Sequence, residues 1–370
     1  MKNALLTTIF RVPNYGSVLQ AYATQRVVEH FGYVCHVLNY DHNKGDWAKA
    51  HGVRGGSFKN KVGRLLGLKA SHRKANKLDA FIRDHLHLTR QYTSIDEMRR
   101  CEGNQYDVYV AGSDQIWNTK YTNCDPAFLL EFAAEGKRRI SIASSIACSH
   151  LDARYAEEFK RELCKFDGVS VREALGVKVL SDMGIGKVAQ VLDPTLLLDK
   201  TQWDALRPQR GKACGRYILL YMWCYAFEPR PYIYKVLKYY QDKLNCKIIA
   251  LEGFMDCDKA HVGSLDIENA TDSSIADFLD YFAGASLVVT TSFHGTAFAV
   301  NYGVPLVSIV PGGGDDRQSS LLEELNLAQC RLHVDEEIGD ADPFYDAHEE
   351  QGRLSTLRDA SLRWIENTLE

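Results

Sequence analysis

The short polar segment Ser292-Phe293-His294-Gly295 carries the most reactive chemistry in the sequence. It follows the apolar run Leu287–Val289, which is typical of a strand buried on both faces of a parallel sheet. Residues 296–302 are apolar enough to predict a buried helix behind it. Ser292 and His294 are therefore expected on a loop at the carboxyl end of a strand, where open α/β sheets bind ligands. An imidazole there can transfer a proton, while the helix start can bind an anion. The alternative is a histidine that only caps the helix or satisfies a carbonyl group.

Two further strand ends carry polar residues. The segment 112–118, Gly-Ser-Asp-Gln-Ile-Trp-Asn, follows the apolar run 107–111, and its Asp114 is either a general base or a brace for the loop. Arg172 and Glu173 follow a short strand predicted at 168–171. The arginine fork matches the geometry of phosphate and carboxylate groups, so Arg172 is a candidate anion ligand. An internal ion pair with the neighbours of Glu173 is an equally good interpretation.

These segments lie within an alternation of strands and helices. Residues 4–9, a helix that begins near Asn14 and residues 33–40 predict a βαβ unit, and therefore a parallel sheet. A chain of 370 residues is long enough for two domains. We expect an α/β half over residues 1–199 and a second half over residues 200–345 that opens with a polar linker at 200–216. Residues 346–370 are expected to form a helix that packs back on the first half.

Composition and charge exclude several classes of function. The net charge of −4 gives no indication of nucleic-acid binding. The ten cysteines lack a Cys-x-x-Cys pair, which argues against a zinc site and fits reduced thiols in the cytoplasm. Residues 1–10 lack the features of a signal peptide, and the longest apolar run, 218–227, is too short to span a membrane. We expect a cytoplasmic protein that requires no metal, with Asp315 and Asp316 capping a helix and not binding an ion.

A basic segment over residues 49–77 contains nine Lys or Arg residues and no acidic residue. Leucine and valine side chains are interleaved with these cations, so the segment is partly amphipathic. One interpretation is a solvated helical face. The other is contact with an anionic membrane surface at the inner face of the cell membrane, or with a lipid diphosphate.

Taken in order, these segments resemble the polysaccharide pyruvyl transferase family. Each motif is weak alone, but the ordered set spans residues 4–326, which is nearly the whole chain. One position departs from the family pattern, because Ala147 stands where the family tends to have glycine. The matching segments are Asn14–Ser17, Leu19–Tyr22, Gly112–Asn118, Ser141–Ser145, Val171–Glu173, Asp193–Leu197, Ser292–Gly295 and Arg317 before Leu321.

The resemblance implies a glycosyltransferase-B type fold, with two Rossmann-like halves and a cleft between them. It implies transfer of a carboxyvinyl-derived group from phosphoenolpyruvate to a sugar diol of a cell-surface polysaccharide precursor, such as a capsule or exopolysaccharide unit. The product would be a cyclic pyruvate ketal, and the acceptor could be linked to a polyprenyl diphosphate. Phosphoenolpyruvate is the co-substrate, and no cofactor is expected.

On this basis each candidate residue receives an expected role. His294 is the general acid, with phosphate binding as its alternative role, and Asp114 is the base for the acceptor hydroxyl. The second half is the donor side, with Arg172 of the first half added, and the donor-binding residues are Arg172, Arg317, Ser292 and Gly295. The first half is the acceptor side, and the acceptor-binding residues are Asn14, Tyr15, Ser17, Gln115 and Trp117. The competing functions are a nucleotide-sugar-dependent glycosyltransferase and a non-catalytic carbohydrate-binding protein.

Overall fold

The computed structural model describes residues 2–52, 69–208, 211, 215–224, 226–253, 265–312 and 317–370. They fall into two compact units. The N-terminal unit comprises Met1–Val62, Asp79–Leu198 and Leu357–Glu370, and the C-terminal unit comprises Gly63–Leu78 and Asp199–Thr356. This division differs from the expected boundaries in two places: the helix Ala70–His85 is divided between the units after Leu78, and the last helix, Ala347–Leu369, is divided after Thr356.

The N-terminal unit is built on a parallel sheet. The sheet has the order β3-β2-β1-β4-β5, and apolar side chains of these strands are buried on it. A short parallel pair, β6 and β7, is connected to β5 through isolated bridges. The strands are β1 (Lys2–Thr7), β2 (Tyr33–Tyr40), β3 (Leu88–Tyr92), β4 (Val108–Ala111), β5 (Arg138–Ser141), β6 (Val169–Val171) and β7 (Val188–Gln190). The predicted parallel sheet is therefore confirmed, and β2 has the predicted bounds.

Helices lie between most of these strands in sequence, as parallel pairing requires. The first helix begins after Asn14, whose side chain accepts a hydrogen bond from the backbone N–H of Ser17 at 3.3 Å. It ends before Gly32, whose φ of 85° favours glycine. The helices are α1 (Tyr15–His30), α2 (Asp46–Ala50), α3 (Ala70–His85), α4 (Ile95–Cys101), α5 (Thr119–Thr122), α6 (Ala153–Leu163), α7 (Ala174–Asp182) and α8 (Pro194–Leu197).

The C-terminal unit contains a second parallel sheet, of order β10-β9-β8-β11-β12-β13. Its central strands are buried throughout, which explains their unbroken apolar sequences. The strands are β8 (Tyr217–Tyr221), β9 (Lys247–Glu252), β10 (Ile267–Asn269), β11 (Leu287–Thr290), β12 (Leu306–Val310) and β13 (Arg331–His333). The helices are α9 (Lys200–Asp204), α10 (Tyr232–Leu244), α11 (Ile275–Gly284), α12 (Phe293–Tyr302), α13 (Arg317–Glu324) and α14 (Ala347–Leu369).

Two local predictions are corrected. The expected linker contains α9, because Asp199 and Gln202 form a capping box and Trp203 is buried edge-to-face against Phe298, with ring centroids 5.3 Å apart. Helix α12 begins at Phe293, before the expected start, so His294 lies in its first turn and not on the preceding loop. Within the described part of the chain, no helix has both the length and the apolar content needed to cross a membrane.

Candidate active site

The start of α12 places His294 at the carboxyl end of β11. Ser292 has extended backbone angles and caps the helix, since its hydroxyl accepts a hydrogen bond from the N–H of Gly295 at 3.4 Å. His294 is 6% exposed. The first turn of this helix combines the positive end of the helix dipole with an imidazole. It can therefore bind an anion and exchange a proton with it.

Gly295 has a packing role in this turn. A Cβ atom at this position would lie 2.1 Å from Thr290 Oγ1 and 2.9 Å from a ring carbon of Tyr221. The Thr290 hydroxyl is fixed there because it donates to the Tyr221 carbonyl at 2.7 Å and accepts from the N–H of Ser292 at 3.0 Å. Glycine therefore lets α12 start directly against β8 and β11. Donor binding by Ser292 and Gly295 remains a prediction.

Arg317 lies beside the same helix start. Its guanidinium carbon is 5.9 Å from the centre of the Phe293 ring, within the range of a cation–π contact. The next residue, Gln318, donates to Ser308 Oγ at 2.8 Å, and that hydroxyl is 2.9 Å from the Thr296 hydroxyl of α12. This chain of hydrogen bonds fixes the start of α13 against β12 and α12. The structure therefore brings Arg317, Ser292 and His294 together within the C-terminal unit.

In the N-terminal unit, Asp114 follows β4 in a strained backbone conformation. Its φ of 66° lies in the left-handed region, which is unusual for a residue other than glycine. One carboxylate oxygen accepts a hydrogen bond from Ser17 Oγ at 2.6 Å, and the other accepts the N–H of Gln115 at 2.9 Å. Asp114 is thus held against the first turn of α1, as a base or brace in this position requires. The two roles remain open.

Arg172 lies in a buried cluster of carboxylates. Among the described residues, its guanidinium is 2.6 Å from Asp193, 3.6 Å from Asp114 and 3.7 Å from Glu173, and its side chain is 0% exposed. The Asp193 carboxylate also accepts hydrogen bonds from Ser113 Oγ at 2.9 Å and from both the N–H and the hydroxyl of Thr195, at 3.0 and 2.7 Å. The internal ion pair that the sequence left open is therefore present. Donor binding by Arg172 remains a prediction, and its placement does not support it.

The Glu173 carboxylate accepts hydrogen bonds from three donors in the segment that follows β5. Its Oε1 atom accepts hydrogen bonds from Ser145 Oγ at 3.1 Å and from the N–H groups of Ile146 and Ala147 at 2.8 and 3.0 Å. Ala147 has a φ of 51°, so the position where the family tends to have glycine does take the left-handed conformation that favours glycine. The N–H groups of Ile146 and Ala147 therefore resemble an anion-binding nest that is occupied by the protein's own Glu173 carboxylate.

The predicted acceptor residues divide into buried and accessible ones. Tyr15 is 0% exposed, and Trp117 is 1% exposed with its indole N–H donating to the Phe128 carbonyl at 3.1 Å. Their side chains belong to the core, so their placement does not support direct contact with a sugar. Asn14 caps α1, and Gln115 is partly exposed and accepts a hydrogen bond from Asn118 at 2.8 Å. Acceptor binding by this set remains a prediction.

Sequence reasoning missed two groups of charged or titratable residues at the carboxyl ends of strands. His42 lies two residues beyond β2, where burial lowers its pKa and the Asp41 and Asp114 carboxylates oppose that effect. The buried Lys74 of α3 forms an ion pair with Glu252, the partly buried last residue of β9. A histidine next to an aspartate after a predicted strand was a usable signal for the first group. Nothing in the sequence indicated that Lys74 and Glu252 meet.

The basic segment over residues 49–77 lies partly outside the described residues. In the part that the structure describes, Arg73 pairs with Asp272 at 2.7 Å and the Lys77 ammonium donates to the Asp272 carbonyl at 2.6 Å. These cations are used within the C-terminal unit. Asp315 and Asp316 lie outside the described residues. Among the residues that the structure does describe, no group of three or more His, Cys, Asp or Glu side chains could hold a metal ion.

Comparison with solved structures identifies the fold. A protein assigned as a UDP-N-acetylglucosamine 2-epimerase from Listeria monocytogenes superposes with a TM-score of 0.51 at 12% identity, covering 99% of this chain and 91% of that one. The UDP-GlcNAc 2-epimerase from Methanocaldococcus jannaschii gives 0.51 at 12% identity, covering 96% and 92%. The glycosyltransferase of kitacinnamycin gives 0.48 at 14% identity, covering 100% and 99%. Two Rossmann-like units of glycosyltransferase-B type are therefore the fold of this chain.

Sequence comparison identifies the family. A search of curated proteins finds no match for this chain. The model of one family, described as polysaccharide pyruvyl transferase, matches residues 14–312. The matched region runs from the Asn14 cap to the end of β12, and so includes Asp114, Arg172 and His294. Because this match covers most of the sequence, the chain belongs to the polysaccharide pyruvyl transferase family.

Proposed function

We propose that this protein is a phosphoenolpyruvate-dependent pyruvyltransferase. It would transfer the carboxyvinyl-derived group of phosphoenolpyruvate to a sugar diol of a cell-surface polysaccharide precursor, form a cyclic ketal and release phosphate. One observation carries the proposal besides family membership: the first turn of α12 holds His294, capped by Ser292, with Arg317 against Phe293. A proton donor, an anion-binding helix start and a cation are thus adjacent in one unit.

The donor has an anionic phosphate and an anionic carboxylate, so its site needs fixed positive groups. The positive end of the α12 dipole supplies one, and the always-charged guanidinium of Arg317 supplies another. Both belong to the C-terminal unit, which we assign to the donor. Arg172 is left out of this donor site, because the carboxylates of Asp193, Asp114 and Glu173 already neutralise its guanidinium.

His294 is assigned as the general acid. A proton moves from its imidazole to the methylene carbon of phosphoenolpyruvate, which makes C2 electrophilic. An acceptor hydroxyl adds to C2 and loses its proton to a base. The C2–O bond to phosphate then breaks, phosphate leaves with the bonding electrons, and the second hydroxyl closes the ketal and gives up its proton. Such proton transfer typically contributes about 10²–10⁴-fold in rate.

Asp114 is assigned as the base that takes the proton of the acceptor hydroxyl. Its carboxylate already accepts a short hydrogen bond from Ser17 Oγ, at 2.6 Å. A sugar hydroxyl that displaced the Ser17 hydroxyl would meet the same oxygen. The N-terminal unit is accordingly assigned to the acceptor.

The basic segment over residues 49–77 is assigned to contact with a lipid-linked form of the acceptor at the inner membrane face, apart from Arg73, Lys74 and Lys77, whose partners lie in the C-terminal unit. The test is flotation with anionic liposomes. If reversing the charges in 49–77 leaves the flotation unchanged, the proposed membrane contact is wrong.

The test is to incubate the purified protein with phosphoenolpyruvate and a panel of glycan acceptors. Mass spectrometry should detect a pyruvyl adduct, with phosphate released in equal amount. His294→Ala should remain folded by thermal melting and lose most turnover. Arg317→Met should mainly weaken phosphoenolpyruvate binding, whereas Arg331→Met, which removes an ion pair with Glu323 elsewhere in the same unit, should not. Phosphate release by His294→Ala at the wild-type rate would refute the assignment.

A nucleotide-sugar-dependent glycosyltransferase is the second candidate. The shared fold with enzymes named for UDP-N-acetylglucosamine favours it, although fold alone does not decide function. Thermal shift with phosphoenolpyruvate and with UDP separates the two. Stabilisation by UDP and none by phosphoenolpyruvate would reverse our preference, because only a ligand that binds the native state raises the melting temperature.

A further inference from the structure

A buried lysine lies at the sheet edge of the C-terminal unit. Lys74, in the second turn of α3, is 4% exposed and forms an ion pair with Glu252, the last residue of β9. Its ammonium is also 5.3 Å from the centre of the Trp223 ring, a cation–π contact. All three residues belong to the same unit. The sequence placed Lys74 only within the basic segment 49–77.

Strand order connects this lysine to the start of α12. Strands β9, β8 and β11 are neighbours and parallel, so their carboxyl ends share one edge of the sheet. Trp223 follows β8 and forms two hydrogen bonds with Thr291. The backbone N–H of Trp223 donates to Thr291 Oγ1 at 2.7 Å, and that hydroxyl donates to the Trp223 carbonyl at 2.8 Å. Thr291 precedes Ser292, the cap of α12. Lys74 therefore contacts Trp223, which is bonded to Thr291, the residue before the Ser292 cap of the helix whose first turn carries His294.

Attachment of α3 to the C-terminal unit does not explain the ion pair between Lys74 and Glu252. Arg73 and Lys77, on the same helix, both bind Asp272 through more exposed contacts. Burial lowers the pKa of Lys74 and raises the pKa of Glu252, and each charge is maintained chiefly by the other. Because desolvation of the buried lysine offsets much of its attraction to Glu252, such a pair is a poor means of stabilising a helix. A cation at the ligand edge of a parallel sheet is better explained by a ligand.

We propose that Lys74 is a donor-phosphate-binding residue and that Glu252 holds it until the donor arrives. The donor phosphate would replace the Glu252 carboxylate as the partner of the ammonium group. A lysine suits this exchange because its charge is compact and its stem is flexible. The proposal rests on the proposed function, in which Arg317 and the α12 start bind the same anion.

The test is calorimetric titration of phosphoenolpyruvate into the wild type and three variants, with UDP as a second probe. Lys74→Met should weaken phosphoenolpyruvate binding by about tenfold or more, as expected for losing a charge-assisted contact. Glu252→Gln should tighten it several-fold, since glutamine keeps the volume and removes the competing charge. Arg73→Met, the matched control on the same helix, should change the affinity less than about twofold, as for an exposed ion pair.

The sign of the Glu252→Gln effect is decisive. If the pair only anchors α3, both Lys74→Met and Glu252→Gln will lower the melting temperature and leave the affinity unchanged, which overturns the proposal. If the wild type binds UDP and not phosphoenolpyruvate, the proposed function fails, and Lys74 is retained as a phosphate ligand only if Lys74→Met weakens UDP binding. A wild type that binds neither probe overturns the assignment of Lys74.

Discussion

Arg172→Ala should destabilise the N-terminal unit more than it weakens donor binding. The substitution removes the guanidinium that lies 2.6, 3.6 and 3.7 Å from the carboxylates of Asp193, Asp114 and Glu173. The side chains of the four residues are between 0% and 10% exposed, so water cannot replace the lost partner. Breaking a buried pair by removing one partner typically costs about 3–5 kcal/mol. With a urea slope of about 2–3 kcal/mol per molar, the unfolding midpoint should fall by about 1–2 M.

The assay is urea unfolding of the intact protein, followed in parallel by calorimetric titration of phosphoenolpyruvate. The control is Arg154→Ala, which removes a pair with Asp152 at the same 2.6 Å distance in the same unit. There both side chains are exposed, by 75% and 36%, so the midpoint should not move. Adding Asp193→Asn to Arg172→Ala should restore part of the lost stability, because it removes one uncompensated buried charge. A midpoint unchanged in Arg172→Ala together with lost phosphoenolpyruvate affinity would refute this reasoning and return Arg172 to the donor site.

Three further predictions concern local conformation and titration. Ala147→Gly should raise the stability by up to about 1 kcal/mol, because the native φ of 51° is strained for alanine; a lower urea midpoint would contradict this. Gly295→Ala should cost about 1–3 kcal/mol, since its Cβ would lie 2.1 Å from Thr290 Oγ1, whereas Gly339→Ala, with nothing within 4 Å, should cost less. Burial raises the pKa of Asp125 to about 6, so its contribution to stability is complete below about pH 4 and is lost as the pH rises through 6. The stability of wild type relative to Asp125→Asn should therefore fall between pH 4.5 and 7.5, by about 2–3 kcal/mol, and a flat difference would exclude the effect.

Local patterns predicted the strands and helices well, because each depends on residues close in sequence. The segment Tyr33–Tyr40 became a strand with the predicted bounds. The apolar segment Tyr217–Tyr221 is a strand buried along its whole length, as a strand covered on both faces must be. The helix over Pro194–Leu197 and the capping box of α9 were less visible, because short helices depend on one or two caps. The apolar pattern predicts the start of α12 three residues late, because the helix begins at the Ser292 cap, ahead of its apolar residues.

By itself, the sequence determined the α/β class, the family and the candidate chemistry, since motif order and periodicity are properties of the chain. Tertiary structure decided which charges meet. It pairs Arg172 with Asp193, 21 residues away in sequence, and Lys74 with Glu252, 178 residues away. No local sequence signal encodes contacts over such separations. Burial then decided what those charges can do. The sequence does not distinguish a charged side chain in water from one in the core. Only the fold sets its desolvation and its partner.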